Sequence, residues 1–308
     1  MTLAAAMLAV TVAFPANGAK LPYVDKCYMI GAVGRGVTNL TVQGRSVDIY
    51  RTGAWATMVD LSEGTNTVDI VAGETATNLT VFVASRPVPN PFAPRPPEKK
   101  YEKLEYAADA PAPRRAAGGT SGMVVWLDPG HGGTDTGALS PHGYPEKDAN
   151  LRVAREVRRA LEEKGYTVRM TRDSDATLDL HERPRKAHEE KADAFVSIHH
   201  NAPGVASDPR RTRYSAVYAW NPLGEALAGA ISQRMEETLE GDIPSKGVLH
   251  ANFAVTRSPE IPSCLVEVDF LTAPQGEEDC WNHLRRRAIG RAIADGIDDH
   301  LRAGLADI

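Results

Sequence analysis

Cysteine is scarce in this chain, with only Cys27, Cys264 and Cys280 among 308 residues. Three cysteines cannot form a disulfide framework, and none has the C-x-x-C spacing of a thiolate zinc site. Cys264 and Cys280 could bridge in an oxidising compartment; two separate buried thiols fit the sequence equally well. Positive charge is not in excess either. The formal net charge is −5, which offers no basic field for holding nucleic acid. After the N-terminus no apolar run is long enough to cross a membrane, so no integral membrane segment is expected in the mature chain. Neither the P-loop nor the dinucleotide glycine spacing occurs, and no segment repeats. What remains is an ordinary globular composition, 42% hydrophobic and 24% charged, at a length that suits two domains.

The first residues, Met1 to Ala19, read MTLAAAMLAVTVAFPANGA. An apolar run followed by Pro15, Asn17, Gly18 and Ala19 has the form of a signal peptide, although no Lys or Arg precedes it. The alternative is an apolar first strand of the mature protein. Residues 20–86 carry short alternating runs, Val47–Tyr50, Trp55–Leu61, Thr67–Ala72 and Leu79–Val83. Turn signals such as Thr52-Gly53 and Glu63-Gly64 separate them, which predicts a small all-β sandwich. The stretch VTNLTVQGRSVDIYRTGAWATMVDLSEGTNTVDIVA loosely resembles bacterial immunoglobulin-like accessory modules. Residues 87–122 are rich in proline and lack periodic apolar residues, as expected of a solvated linker. Residues 123–308 then alternate buried strands with amphipathic helices. Val124–Leu127, Tyr166–Thr171, Ala194–Ile198, Tyr214–Trp220 and Cys264–Leu271 read as strands. Asp148 is expected to cap a helix through Leu151, Ala154, Val157 and Leu161, and Gly165 to end it. This is an α/β domain with a mostly parallel sheet flanked by helices.

Chemistry concentrates at strand ends. Asp128-Pro129-Gly130-His131-Gly132-Gly133 follows one buried strand, and Ser197-Ile198-His199-His200-Asn201 closes another. Ligands of open α/β sheets gather beyond the carboxyl ends of strands, so both histidines belong on one rim. Glu146 stands just before a helix. Two histidines and a carboxylate form a common hydrolytic zinc set that leaves a fourth position for water. Glu267 lies inside an apolar strand, where an unpaired carboxylate is costly. It is either salt-bridged or a general base. Asp269, two residues on and on the same face, is a competing candidate.

These blocks resemble the zinc-dependent N-acetylmuramoyl-L-alanine amidase family. They are D-P-G-H-G-G-x-D-x-G-A at Asp128–Ala138, G-x-x-E-K-D at Gly143–Asp148 and M-T-R-D-x-D at Met170–Asp175. A-D-A-F-V-S-I-H-x-N at Ala192–Asn201 and C-L-V-E-V-D-F-L at Cys264–Leu271 complete the series in family order. The resemblance implies Zn2+ ligands at His131, Glu146 and His199 and a catalytic Glu267. It implies peptidoglycan as substrate, cut at the amide between N-acetylmuramic acid and L-alanine, in a secreted, periplasmic or cell-envelope protein. The sandwich could meet an envelope partner. The alternatives are a zinc peptidase acting on the peptidoglycan stem and a non-catalytic wall-binding relative. His200 stands where the family has alanine, as a group behind the ligands or an exposed one. Arg183 reads as structural pairing or rim charge, and His250 as a side chain that could touch substrate. His142, His181, His188, His283 and His300 read as solvated. Residues 203–213 look too short for the cleft-blocking helix some relatives insert.

Overall fold

The computed structural model describes residues 9–87, 120, 122–258 and 260–306. The expected linker falls almost wholly outside these residues.

Eight strands come first: β1 (Val10–Phe14), β2 (Ala19–Leu21), β3 (Lys26–Val33), β4 (Leu40–Val42), β5 (Arg45–Ser46), β6 (Ala54–Asp60), β7 (Gly64–Ala72) and β8 (Thr75–Val83). They form a three-stranded sheet, β1-β3-β6, and a five-stranded sheet, β2-β8-β7-β4-β5. Met29, Trp55 and Val59 of the first sheet share a core with Leu40, Val68, Ile70 and Val81 of the second. Burying each such aliphatic side chain contributes about 1.5–3 kcal/mol, which is what a small sandwich depends on. The alternating runs at β6, β7 and β8 were expected. Val47–Tyr50 is not a strand: Val47 is buried, but only an isolated bridge joins Ile49 to Trp55.

The apolar start of the chain is described from residue 9 onward. Residues 10–14 form β1, antiparallel to β3, with Val10 in the core and Val12 and Phe14 packed against it. Apolar residues at alternate positions suit a half-buried strand. Cleavage after Ala19 would remove β1 from its sheet. Residues 1–8 lie outside those described.

The second unit runs β9 (Val124–Pro129), α1 (Glu146–Glu163), β10 (Thr167–Met170), α2 (Glu182–Glu189), β11 (Ala194–Asn201), β12 (Ser215–Ala219), α3 (Pro222–Leu239), β13 (Ser245–His250), β14 (Ser263–Phe270), α4 (Pro274–Trp281) and α5 (His283–Ala306). Its six strands lie in the order β10-β9-β11-β14-β12-β13. β10, β9, β11 and β14 are mutually parallel, while β12 runs antiparallel to β14 and parallel to β13. Alternate residues face opposite layers. Val125, Leu127, Val196 and Ile198 join a core with residues of α1, α3 and α5. Trp126, Phe195 and Leu265 pack with Ala187 of α2 and Val255 on the other side. Burial on both faces explains why these strands read as continuous apolar runs.

Helix α1 begins at Glu146, with Pro145 at its N-cap and no side-chain cap bond. Asp148 therefore sits in the first turn instead of capping it, where a carboxylate still complements the helix dipole. All three cysteines are buried free thiols. Among the described residues no helix is long and apolar enough to cross a membrane.

Candidate metal centre

The parallel register sets the site. Pro129 at the end of β9 pairs with Ile198, and His199 on β11 pairs with Glu267 on β14. Three of the four predicted side chains then meet a fourth from α1. Ligand atoms of His131, Glu146 and His199 lie within 4.8 Å of one another. His131 Nε2 and His199 Nδ1 each lie 3.1 Å from Glu146 Oε1, and the two rings meet edge to face, 4.9 Å between centroids.

Backbone geometry makes this approach possible. His131 adopts φ 61°, a left-handed conformation uncommon outside glycine and typical of functional positions. A Cβ at Gly130 would lie 2.1 Å from the His199 ring, and one at Gly137 would lie 2.5 Å from Glu146 Oε2. Side chains at either position would push the ligands apart.

The groups behind the ligands hold them in place. His131 Nδ1 donates to Asp135 Oδ2 at 2.8 Å, which leaves Nε2 as the lone-pair nitrogen. Asn150 Nδ2 donates to Glu146 Oε1 (3.0 Å), the Ala138 N–H to Oε2 (3.0 Å) and the His200 N–H to Oε1 (3.2 Å). The His200 ring is buried and bonds Asn150 Oδ1 through Nδ1 (2.8 Å), so it supports the carboxylate from behind. Two buried guanidiniums brace the His131 loop. Arg172 donates to the carbonyls of Pro129, Gly130 and Lys147. Arg183 donates to Asp128 Oδ1, to Pro129 O and to His131 O. The structural-pairing reading of Arg183 thus describes its contacts. Asp135, Asn150 and Arg172 were not singled out from the sequence; Asp135 and Arg172 lie inside quoted motifs, but their role needs the folded loop.

The electrostatics favour positive charge at the centre. In the protein alone, burial disfavours the His131 imidazolium, but the Glu146 and Asp135 carboxylates outweigh it and raise the group to about 9. Burial also opposes the Glu146 carboxylate, yet bonds to both imidazoles hold its carboxyl well below the usual range. A divalent cation supplies that charge without protons, so the donor set and its field both fit zinc.

Glu267 faces this cluster. Its Oε2 is buried without a hydrogen-bond partner. Burial pushes its carboxyl up to about 7, against the pull of the two histidines. Asp269 is different: Arg213 Nε and Nη2 hold its carboxylate at 2.7–3.0 Å, and Phe270 N–H bonds it too. That pairing removes Asp269 from contention as a base. His250 lies level with Cys264 in the sheet, not with Glu267. It ends β13, which runs opposite to β14, and its Nε2 bonds buried Glu225 at 2.6 Å. His300 is largely buried rather than solvated, and burial lowers it to about 4. His142 bonds Glu277 (2.7 Å). Residues 202–214 contain no helix; they form a loop in which Val205 O accepts from Tyr28 N–H of the sandwich.

Residues 125–299 match the family described as N-acetylmuramoyl-L-alanine amidase. The chain belongs to this family. The N-acetylmuramoyl-L-alanine amidase AmiC of Neisseria meningitidis serogroup B is 32% identical over 241 residues, 63% of this chain and 56% of that protein. The probable cell wall amidase LytH of Staphylococcus aureus is 33% identical over 184 residues, 59% of this chain and 60% of that one. The match thus spans somewhat over half the length of these relatives. Among solved structures, the amidase AmiC2 of Nostoc punctiforme is 33% identical with a TM-score of 0.55, covering 59% of this chain and 99% of that chain. The catalytic domain of CwlV from Bacillus (Paenibacillus) polymyxa is 30% identical with a TM-score of 0.55, covering 58% and 98%. The amidase family is zinc-dependent, and the His131, Glu146 and His199 cluster fits its metal site.

The Asp135 bond gives a direct test of the metal site. Asp135→Asn should weaken zinc binding by about 10–100-fold, the usual effect of removing a carboxylate that orients a ligating histidine. Competition with a chelator of known affinity measures it; unchanged affinity would show that Asp135 does not orient the ligand.

Proposed function

We propose that this chain is a zinc-dependent amidase of the cell envelope that hydrolyses the bond between N-acetylmuramic acid and L-alanine in peptidoglycan. His131, Glu146 and His199 hold the ion, and Glu267 is the base. The observation that carries this reading is the meeting of a His/Glu/His triad with an unpartnered carboxylate on the neighbouring strand. When bound, zinc supplies Lewis acidity, lowering the pKa of water toward about 7 and polarising a carbonyl.

The chain's own groups supply the proton transfers. In the protein alone burial raises Glu267 to about 7, and its unpartnered oxygen beside the cluster makes it the base. It takes the proton of the attacking water and passes it to the departing L-alanine nitrogen. Asp135 and Asn150 keep the His131 and Glu146 donor atoms aimed while charge shifts. The Arg172 and Arg183 bonds hold the loop carbonyls, so His131 stays at its strained backbone angle.

Purified sacculi digested with the zinc-loaded protein should release stem peptides with a free L-alanine amine and leave lactyl carboxylates on muramic acid, as read by mass spectrometry. Products cut between amino acids would identify a stem peptidase, and intact sacculi a non-catalytic wall-binding protein. The amidase reading places the mature protein in the periplasm or at the cell wall. The sandwich then offers a second surface for an envelope partner.

A further inference from the structure

We propose that the cleft bounded by α1, α4 and the sandwich loop at Thr52 is a saccharide subsite for the N-acetylated glycan strand. The inference rests on the amidase reading only for the identity of the polymer. The cleft has a volume of about 640 Å³, within the ordinary range of small-ligand sites. Two of its lining residues flank a candidate zinc ligand in the chain: Tyr144 and Asp148 stand two residues on either side of Glu146. Asp148 and Arg152 are four residues apart on α1 and so share a helix face.

The lining has an aromatic platform and unspent polar groups. Tyr144 and Trp281 meet edge to face with centroids 5.0 Å apart, and the Arg152 guanidinium lies 4.7 Å from the Trp281 ring centre. Tyr144 is 48% exposed, one of the most open large side chains among the described residues. Among those residues the Tyr144 hydroxyl, the Arg152 guanidinium and the Asp148 carboxylate have no side-chain hydrogen-bond partner. Their neighbours are already engaged: His142 bonds Glu277, and Arg51 Nε bonds Glu278 at 3.1 Å.

A pyranose matches this chemistry. Its C–H face packs on an aromatic ring, while its hydroxyl and acetamido groups want separate donors and acceptors. Arg152 and Asp148 supply one of each, and their opposite charges favour a neutral polyol over an anion. A second cavity of about 680 Å³ shares Thr52 and His142 with the first and continues along the sandwich past Arg35. The combined groove has room for more than one sugar. On this reading the sandwich supplies one wall of the substrate path.

The probe is a hexamer of N-acetylglucosamine, which lacks the lactyl amide and cannot be hydrolysed there. It is titrated into the full zinc-loaded chain by calorimetry. Wild type should bind it, and Tyr144→Ala and Arg152→Ala should each bind about tenfold more weakly, the scale of losing one anchoring side chain. Tyr144→Phe, which keeps the ring, should retain binding. Zinc content equal to wild type in each variant shows that the fold survives. No binding by wild type, or equal affinity in both alanine variants, overturns the proposal. Binding of free stem tripeptide in place of the hexamer, lost in the same variants, also overturns it by making the cleft a peptide site. A chain that cuts sacculi but ignores the hexamer removes the cleft alone. A chain that binds the hexamer but releases no lactyl carboxylate removes the amidase reading alone.

Discussion

Glu267→Gln should leave zinc content and melting behaviour near wild type while reducing the rate of sacculus hydrolysis by about 10³-fold, within the usual contribution of a positioned general base. The substitution preserves volume and changes one oxygen to an amide nitrogen. It removes the capacity to accept the proton of the attacking water. The local environment tolerates it because Glu267 Oε2 has no protein partner to lose, and a neutral amide is easier to bury than a carboxylate. A structural glutamate would behave in the opposite way, with stability falling and the rate following it. Asp269→Asn provides that contrast. It weakens the pairing with Arg213, so its main effect should be on stability. If Glu267→Gln hydrolyses sacculi within tenfold of wild type, Glu267 is not the base.

Much of the centre was legible because its parts are local. His131 and His199 each follow a continuous apolar run, so strand-end logic places both on one rim without coordinates. Glu146 was legible as a residue near a helix start, although the helix begins at Glu146 itself, with Pro145 ahead of it. Glu267 and Asp269 were not separable, because residues two apart on a strand face the same way. Only Arg213, more than fifty residues earlier, distinguishes them, and such tertiary pairing leaves no trace in local pattern. His250 shows the same limit. Its place beside Glu225 follows from the reversed direction of β12 and β13, which apolar runs do not encode. At the N-terminus, Val10, Val12 and Phe14 satisfy a leader and a strand equally by hydropathy. They pair with β3 as β1, and β3 was itself unread because Lys26–Val33 is buried almost throughout and shows no alternation.

His131→Ala should abolish stable zinc binding, and with it the stabilisation zinc gives the folded chain. The variant keeps Glu146 and His199 but lacks one of three ligand atoms that converge within 4.8 Å. It also removes the imidazole partner of Asp135, which keeps the Gly137 N–H. An ion that binds only the folded state at 100 times its Kd adds about 2.7 kcal/mol. For a catalytic unit of this size that raises the melting temperature by about 5–10 °C. Wild type should show this rise when zinc is restored after chelation, and His131→Ala should show none. His250→Ala serves as the control, since His250 bonds Glu225 and is not among the converging ligands; its zinc content and zinc-dependent rise should match wild type. Elemental analysis after dialysis gives the occupancy independently. One zinc per chain in His131→Ala, with the full thermal rise, would remove His131 from the ligand set and with it the geometry on which the hydrolytic reading stands.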